Sequence, residues 1–504
     1  MKSAKSVPSS SAPIEPAASI ENPARLDWVR WAVGLLLSVH LLVAISMIVN
    51  HVSRPEIVAG SDGWHMQYFH QFAEGGHCYY PRNDVEHVTD AYTPLASEIF
   101  GWTIKIFGTD IRWVRLVAAL FGLGGIWLVG ACVKKRTNDL FLAYAAAALA
   151  AGIDAKWYLD VGPNTVHVTF SLLALYFFLR DPGLSWKTLV AAGLALFASF
   201  WSKQLGLAYM AAGTVYVLAH NWRKGLWFGG GLAALSSIGI LHYQGLENSL
   251  FTYWVFEMPQ HQPLIWSRLW TVLVAEVLAR KFAVSVGFVI AGLLVYERSW
   301  RGLFRPELLL LGAAAVAGGF ANNKYGSGPS QMWVFYQLLI IVGLTYAWRF
   351  RQDRRAAWPM LGVFIAMQGL ALADDPRPYY INDEDAGRYR QLMALLRDPA
   401  KSTYFINRGY MSLLAGKPAW PQAGEDSWYK GQFDRNQLSA ERRAFLARDP
   451  WDVVIIDVPL EDNSYALYER LDQAYRPLYE IPASTRFATT YDLRYKKIVF
   501  EKKK

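Results

Sequence analysis

The stretch "AGSDGWHMQYFHQFAEGGHCYY", Ala59–Tyr80, sets one aspartate and three histidines among aromatic side chains directly after a long apolar run. Asp62 is the residue in it best suited to chemistry. An aspartate ahead of an amphipathic run can accept hydrogen bonds from the open N–H groups of a helix start. Held at the mouth of a cavity, the same carboxylate can take a proton from an attacking hydroxyl. Both roles stay open for Asp62. A zinc site needs ligands that converge. His65 and His70, five apart, diverge by about 140° on a helix, and His77 lies beyond Gly75 and Gly76, so these histidines are expected on a polar face. The later run "NDVEHVTDAY" (Asn83–Tyr92) offers Asp84, Glu86, His87 and Asp90 to a cation or a sugar, or else forms a solvated acidic loop.

Ionisable side chains near a membrane centre are costly and mark function. In this chain they gather at the ends of apolar runs. "DAKWYLDVGPN" carries Asp154, Lys156, Asp160 and Asn164, and "WSKQLG" carries Lys203 and Gln204. His261 and Arg268 lie in a middle loop, Arg280 and Lys281 open an apolar run, and "NNKYGSGPSQ" carries Lys324 and Tyr325. Lys203 is either a snorkelling anchor or a partner for phosphate, and Arg280 and Lys281 share that ambiguity. Asp457, which ends the strand-like "WDVVIIDVP", has no glycine-rich loop beside it and is assigned no chemistry.

The elements that position these residues are apolar. Of 504 residues 53% are hydrophobic and 18% charged, against about 25% charged in soluble proteins. Mean hydropathy is positive, +0.14, although both ends are polar, which is the pattern of a polytopic membrane protein. Eleven runs qualify as candidate spans: 28–50, 112–133, 139–153, 163–180, 187–202, 205–220, 225–243, 281–297, 306–320, 331–349 and 357–373. "PLASEIFGWTIKIFG" (Pro94–Gly108) is short and amphipathic and is expected to lie on the membrane, as is a helix whose stripe is Trp64, Tyr68 and Phe72. Alternate connections are basic: "KKR", "NWRKG", "ERSWRGLFR" and "RFRQDRR". The positive-inside rule puts them and the N-terminus in the cytoplasm. The first outer loop, 51–111, has only Arg54, Arg82 and Lys105 against eight acids. The net charge of +9 is therefore topological, and nucleic-acid binding is excluded. Residues 1–27 form a disordered tail by composition. Cys132 sits inside a span, which argues against a disulfide framework. Residues 374–504 mix strand-like "STYFIN" and "WDVVIIDVP" with helix-like "DEDAGRYRQLMALLRD" and "LSAERRAFLARD", and imply a small α/β domain outside the membrane.

The aspartate after the first span, the helix ending "FAEGG" and the following "AYTPLASEIFGWTIKIFGTDIRWVRLVAALFGLGGIWLVG" (Ala91–Gly130) together resemble the first outer loop of GT-C membrane glycosyltransferases. The likeness is to the bacterial branch of aminoarabinose and lipid A galacturonosyltransferase-like enzymes, with protein O-mannosyltransferases more distant. "DVGPNTVHVTFSLLALYFFL" and "SKQLG" fit the same family, and the resemblance runs over residues 28–350. It implies a GT-C fold and transfer of a sugar from a polyprenyl-phosphate donor at the outer membrane face. It also implies a base at Asp62 and a site-shaping residue at Asp160 or Asn164. Where the aminoarabinose enzymes carry an acid and a phosphate-binding lysine, this chain reads Ala91-Tyr92-Thr93. That departure leaves the phosphate partner to be found among Lys203, Arg280, Lys281 and Lys324.

The expectation is thus an α-helical polytopic membrane enzyme of about eleven spans with a C-terminal extracytoplasmic α/β domain. It would work at the outer face of a bacterial inner membrane on a lipid, glycan or protein acceptor. Asp62 would be the base, and donor contacts would come from Asp160, Asn164, Lys203, Gln204, Tyr92, Glu86, His87, His261, Arg280, Lys281 and Lys324. No cofactor is assigned beyond the lipid-linked sugar donor, and a divalent cation is compatible with the acids. A flippase for lipid-linked sugars and a non-catalytic scaffold for envelope assembly are the competing readings.

Overall fold

The computed structural model describes residues 23–55, 58–81, 89–153, 157–270, 274, 281–297, 299–324, 329–353, 357–373, 380, 382–405, 409–417, 451–456, 475–481, 488–489 and 497–503. The chain opens with α1 (Pro23–Ser53), β1 (Val58–Ala59), α2 (Gly60–Ala73) and α3 (Leu95–Phe107). A run of long helices follows: α4 (Ile111–Thr137), α5 (Leu140–Gly152), α6 (Pro163–Arg180), α7 (Trp186–Ser202), α8 (Gly206–His220) and α9 (Trp222–Gln244). After the short α10 (Trp266–Arg268) come α11 (Ala283–Tyr296), α12 (Pro306–Asn322), α13 (Trp333–Asp353) and α14 (Ala357–Leu372). The C-terminal part holds α15 (Asp383–Arg397), β2 (Thr403–Phe405), α16 (Gly409–Leu414), β3 (Val453–Ile456), β4 (Tyr475–Ile481), β5 (Ala488–Thr489) and β6 (Lys497–Lys502).

Helix starts follow local chemistry. Asp139 accepts from Phe141 N–H at 2.8 Å to cap α5, and Asn382 accepts from Asp385 N–H at 2.7 Å to cap α15. Proline opens α6 and α12, where its missing N–H costs nothing. A helix stands at each of the eleven apolar runs. Four of them (α1, α4, α9 and the helix over 330–350) are long and apolar enough to cross a membrane by length and composition. The helix over 330–350 is largely buried, whereas the outward faces of α1, α4 and α9 are apolar: Trp31, Leu35, Leu42, Trp127, Trp227 and Leu241 are exposed. Such a surface belongs in lipid, where it meets hydrocarbon instead of water.

Helix α4 forms the spine, packing on α3, α5, α6 and α13. Its "LFGLGGIW" segment lets the turn before α6 come in close. A β-carbon on Gly122 would lie 2.4 Å from that of Tyr158, and one on Gly125 would lie 2.9 Å from the Trp157 ring. Trp157 and Tyr158 are fully buried there, and they fix the turn that carries Asp160. Trp157 Nε1 donates to the Ala150 carbonyl at 3.1 Å, and Thr165 Oγ1 to the Asp160 carbonyl at 2.9 Å.

At the end where α11 and α13 finish and α12 begins, carboxylates meet guanidinium groups. Glu307 lies 2.5 Å from Arg136, while Glu297 lies 2.7 Å from Arg305 and 3.2 Å from Arg349. Across the bundle, the C-terminal strands form a mixed sheet of order β2-β3-β6-β4, with β2 and β3 parallel and the other pairs antiparallel. The sequence expectation of strands at "STYFIN" and "WDVVIIDVP" and of a helix at "DEDAGRYRQLMALLRD" matches β2, β3 and α15. "LSAERRAFLARD" lies outside the described residues.

These C-terminal elements cover α2 directly. Tyr68 and Phe69 share a buried cluster with Phe100 of α3, Leu392 and Leu396 of α15, Met411 of α16 and Val453 of β3. Tyr68 is 2% exposed, so the expected membrane-lying stripe of α2 is corrected: protein, not lipid, covers it. Helix α3 keeps the expected surface character, with Trp102, Ile106 and Phe107 exposed.

Candidate active site

Asp160 ends the turn before α6, Asn164 sits in its first turn, and Lys203 follows α7. The fold brings the three into one buried chain of hydrogen bonds. Asn164 Nδ2 donates to Asp160 Oδ2 at 3.0 Å, and Lys203 Nζ donates to Asn164 Oδ1. The ammonium also lies 5.4 Å from the centre of the Tyr92 ring, within cation–π range. Lys203 is 2% exposed. Burial pulls its ammonium down to about 7, against an opposing pull from Asp160. A negative charge brought beside it would favour the charged form that burial disfavours. Of the two readings open for Lys203, the snorkelling anchor does not fit, since the head group turns into the protein.

The segment 89–94 seals one side. Thr93 Oγ1 donates to the Phe200 carbonyl at 2.7 Å, and Tyr79 OH donates to that of Tyr92 at 2.8 Å. Gln204 Nε2 donates to the carbonyls of Ala91 and Val255, so the glutamine staples loops together. Of the two readings open for the 83–92 run, the solvated loop does not fit Asp90. It is buried, and accepts from Tyr92 N–H at 3.0 Å and Ser97 Oγ at 3.1 Å. Burial pushes its carboxyl up to about 7, with the hydrogen bonds opposing.

The histidines of the opening stretch do not converge, as their spacing implied, but two of the three leave the polar face. His65 and His77 are buried, and His70 lies 3.5 Å from Glu74. His65 packs near Phe69 and Tyr92, with ring centres 5.9 and 6.2 Å away. Asp62 lies in the first turn of α2, third in the helix and past the cap position expected for it. Its side chain lies outside the described residues, as do Glu86, His87 and Arg280. Cys78 and Cys132 are free thiols, both buried.

A second group forms at the far end of α12. A cavity of about 510 Å³ is lined by His261, Gln262, Trp266, Phe320 and Lys324 among others. Lys324 Nζ donates to the Pro259 carbonyl at 2.6 Å, and burial lowers its pKa. His261 and Lys324, 63 positions apart in the chain, thus share one wall. Lys281 joins neither group through a contact among the described residues; its carbonyl accepts from Gln368 at 2.7 Å. A further cavity of about 580 Å³ is apolar, lined by residues such as Val286, Leu293, Leu308 and Phe335. Among the described residues no group of three or more His, Cys, Asp or Glu side chains could hold a metal ion.

Sequence reasoning passed over His65 and undervalued Asp90. Asp90 carried a local signal, because an aspartate two residues before the N–H it accepts from is an Asx turn. His65 carried none, since its burial comes from elements far away in the chain.

A bundle of long helices with two shorter helices, α2 and α3, between its first two long members is the fold of GT-C membrane glycosyltransferases. The family model for dolichyl-phosphate-mannose-protein mannosyltransferase matches residues 92–242, the segment that supplies Tyr92, Asp160, Asn164 and Lys203. Among solved structures, ArnT from Cupriavidus metallidurans bound to undecaprenyl phosphate matches with a TM-score of 0.58 at 14% identity, over 93% of this chain and 98% of that one. Its apo form matches with a TM-score of 0.53 at 16% identity, over 94% and 98%. The oligosaccharyltransferase of Archaeoglobus fulgidus, in complex with Zn and sulfate, matches with a TM-score of 0.51 at 12% identity, over 89% and 72%. No curated protein matches the sequence. The chain shares the fold of these membrane glycosyltransferases, and residues 92–242 match the mannosyltransferase family model.

Proposed function

We propose that this enzyme moves a sugar from a polyprenyl-phosphate donor to an envelope lipid, glycan or protein at the outer face of a bacterial inner membrane. The observation that carries this reading is the buried Lys203–Asn164–Asp160 chain, in a fold whose relative ArnT is seen with undecaprenyl phosphate bound. Nucleotide sugars stay in the cytoplasm, so transfer on the other side needs a lipid-linked donor. The basic connections support an N-terminus in the cytoplasm and a C-terminal sheet outside, and the apolar cavity beside α11 and α12 gives room for a lipid tail.

The acceptor hydroxyl or amine loses its proton to Asp62, and its heteroatom attacks the anomeric carbon. The bond from that carbon to the phosphate oxygen breaks, and the electron pair leaves with polyprenyl phosphate. Lys203 neutralises the leaving phosphate, while Asn164 and Asp160 hold the ammonium in place. His261 and Lys324 line the cavity where the rest of the donor head group sits. One base and one direct displacement invert the anomeric centre.

Asp62→Asn tests the base. Asn supports a helix start about as well as Asp but cannot take the proton. Full-length protein in vesicles with a labelled polyprenyl-phosphate sugar and an envelope-lipid extract should lose transfer by about 10²–10⁴-fold with its fold intact. Undiminished transfer by the Asn variant removes Asp62 from the mechanism. Label crossing the vesicle with no product would make the protein a flippase. Mass spectrometry of envelope lipids from cells with and without the protein identifies the sugar and the acceptor.

A further inference from the structure

The proposed transfer uses none of the three histidines of the opening stretch. Two of them have partners that account for them. His70 pairs with Glu74 on the rim. His77 bonds the Glu247 carbonyl at 2.9 Å and accepts from Tyr79 N–H at 3.1 Å. His65 stands apart because of what faces it across Gly162. A β-carbon on Gly162 would lie 2.7 Å from His65 Cε1, 2.9 Å from Nδ1 and 3.2 Å from Asp160 Oδ2. The imidazole and the carboxylate therefore border one notch, which any side chain at position 162 would fill.

The backbone does not explain this glycine. Gly162 has φ −175° and ψ −174°, extended geometry that any residue adopts. The approach of His65 explains it. Helix α2, which carries Asp62 three positions before His65, thus reaches the Asp160–Asn164–Lys203 chain through a contact that only glycine permits. Asp160 faces the ring from the turn before α6, Tyr92 from the segment 89–94 and Phe69 from α2 itself. Lys203, over Tyr92, and Asp90, bonded to Tyr92 N–H, are the charged groups next beyond.

We propose that His65 is a positioning residue for the transfer, setting Asp160 through the Gly162 notch and holding α2 in register with the lysine chain. In its kinetic arm this inference rests on the proposed transfer. A small displacement of aligned groups costs rate and leaves ground-state binding nearly intact. Full-length His65→Ala and Gly162→Ala should each lower kcat by about tenfold or more, with KM for the lipid-linked donor within about twofold. His65→Gln, which keeps a polar group of similar reach, should recover much of the loss. The double variant should be no slower than the slower single one, because both changes break one contact. Two outcomes overturn the proposal: His65→Ala with kcat within about twofold of wild type, or single losses that multiply in the double variant. Thermal unfolding of the same four proteins reads the coupling without substrate. If wild type transfers no lipid-linked sugar, the function reading falls alone, and non-additive melting shifts would still support the notch while additive ones would remove it.

Discussion

The protein buries charge at both ends of its bundle, and the two ends differ in how the charge is met. At the proposed cytoplasmic end each carboxylate faces guanidinium groups: Glu307 with Arg136, and Glu297, 2% exposed, with Arg305 and Arg349. Tyr346 OH adds a hydrogen bond to Glu297 at 3.2 Å. At the opposite end the Lys203 ammonium meets a neutral amide oxygen and an aromatic ring, with Asp160 one bond further back. The first arrangement is closed. It ties α4 to α12 and α11 to α13; both carboxylates are met, and the one guanidinium in excess is partly exposed to solvent. The second leaves a buried cation short of counter-charge, a costly state that a bound phosphate relieves. The two ends thus differ in contact: each buried carboxylate at one end touches guanidinium directly, while the buried ammonium at the other reaches a carboxylate only through Asn164.

This contrast can be broken by experiment. Glu297→Ala strands two guanidinium groups and should cost about 3–5 kcal/mol of stability, read by thermal unfolding in detergent, with kcat per folded molecule unchanged. Lys203→Met should do the reverse. Transfer should fall by about 10²-fold or more, while the unfolding midpoint holds or rises, because a poorly compensated buried charge has gone. Should both variants lose stability and activity alike, the two ends are not different in kind.

Dependence on pH sharpens the contrast further. Transfer needs Lys203 charged, and its folded pKa of about 7 lies below the ordinary 10.5. kcat/KM, which reports the unliganded enzyme, should therefore fall as pH rises through about 7. Lys203→Arg should move that fall to higher pH, since guanidinium does not titrate there. Asp90 tests the sealing segment. Its folded pKa of about 7 exceeds the ordinary 3.8, so the fold binds more protons than the unfolded chain in between. The stability it contributes is full below pH 3.8 and lost as pH rises toward 7. Asp90→Asn should raise the unfolding midpoint at pH 8 and leave it unchanged at pH 4. The smallest effect is expected at Lys281, which joins neither polar group through a contact among the described residues; its replacement by Ala should change transfer by no more than about twofold.

Much of this was legible in the sequence where the physics is local. The apolar run 163–180 became α6, Pro163–Arg180, because a proline fixes the start and apolar length fixes the span. Asp160, Asn164 and Lys203 were marked by being polar at the ends of apolar runs, and the family resemblance weighted the first two. Tyr68 was misread because its surroundings are distant: α15, α16 and β3 cover α2; Asp90, left open between ligand and solvent, is buried with Ser97 closing over it. Gln204 was chosen as a ligand contact, and the fold spends it on two carbonyls, those of Ala91 and Val255.

The sequence by itself determined the helices, their apolar faces and the sorting of charge to helix ends, since each follows from residues within a turn or a span of one another. Only the tertiary structure decided which polar ends meet. Lys203 joins Asn164 across 39 residues and Tyr92 across 111, and His65 comes to Gly162 across 97. Such contacts depend on how α2, α4, α6 and α7 pack, on the close approach of Trp157 and Tyr158 to the glycines of α4, and on the absence of a side chain at residue 162. No periodicity or local spacing encodes them, because they are set by which surfaces fit when the whole bundle closes.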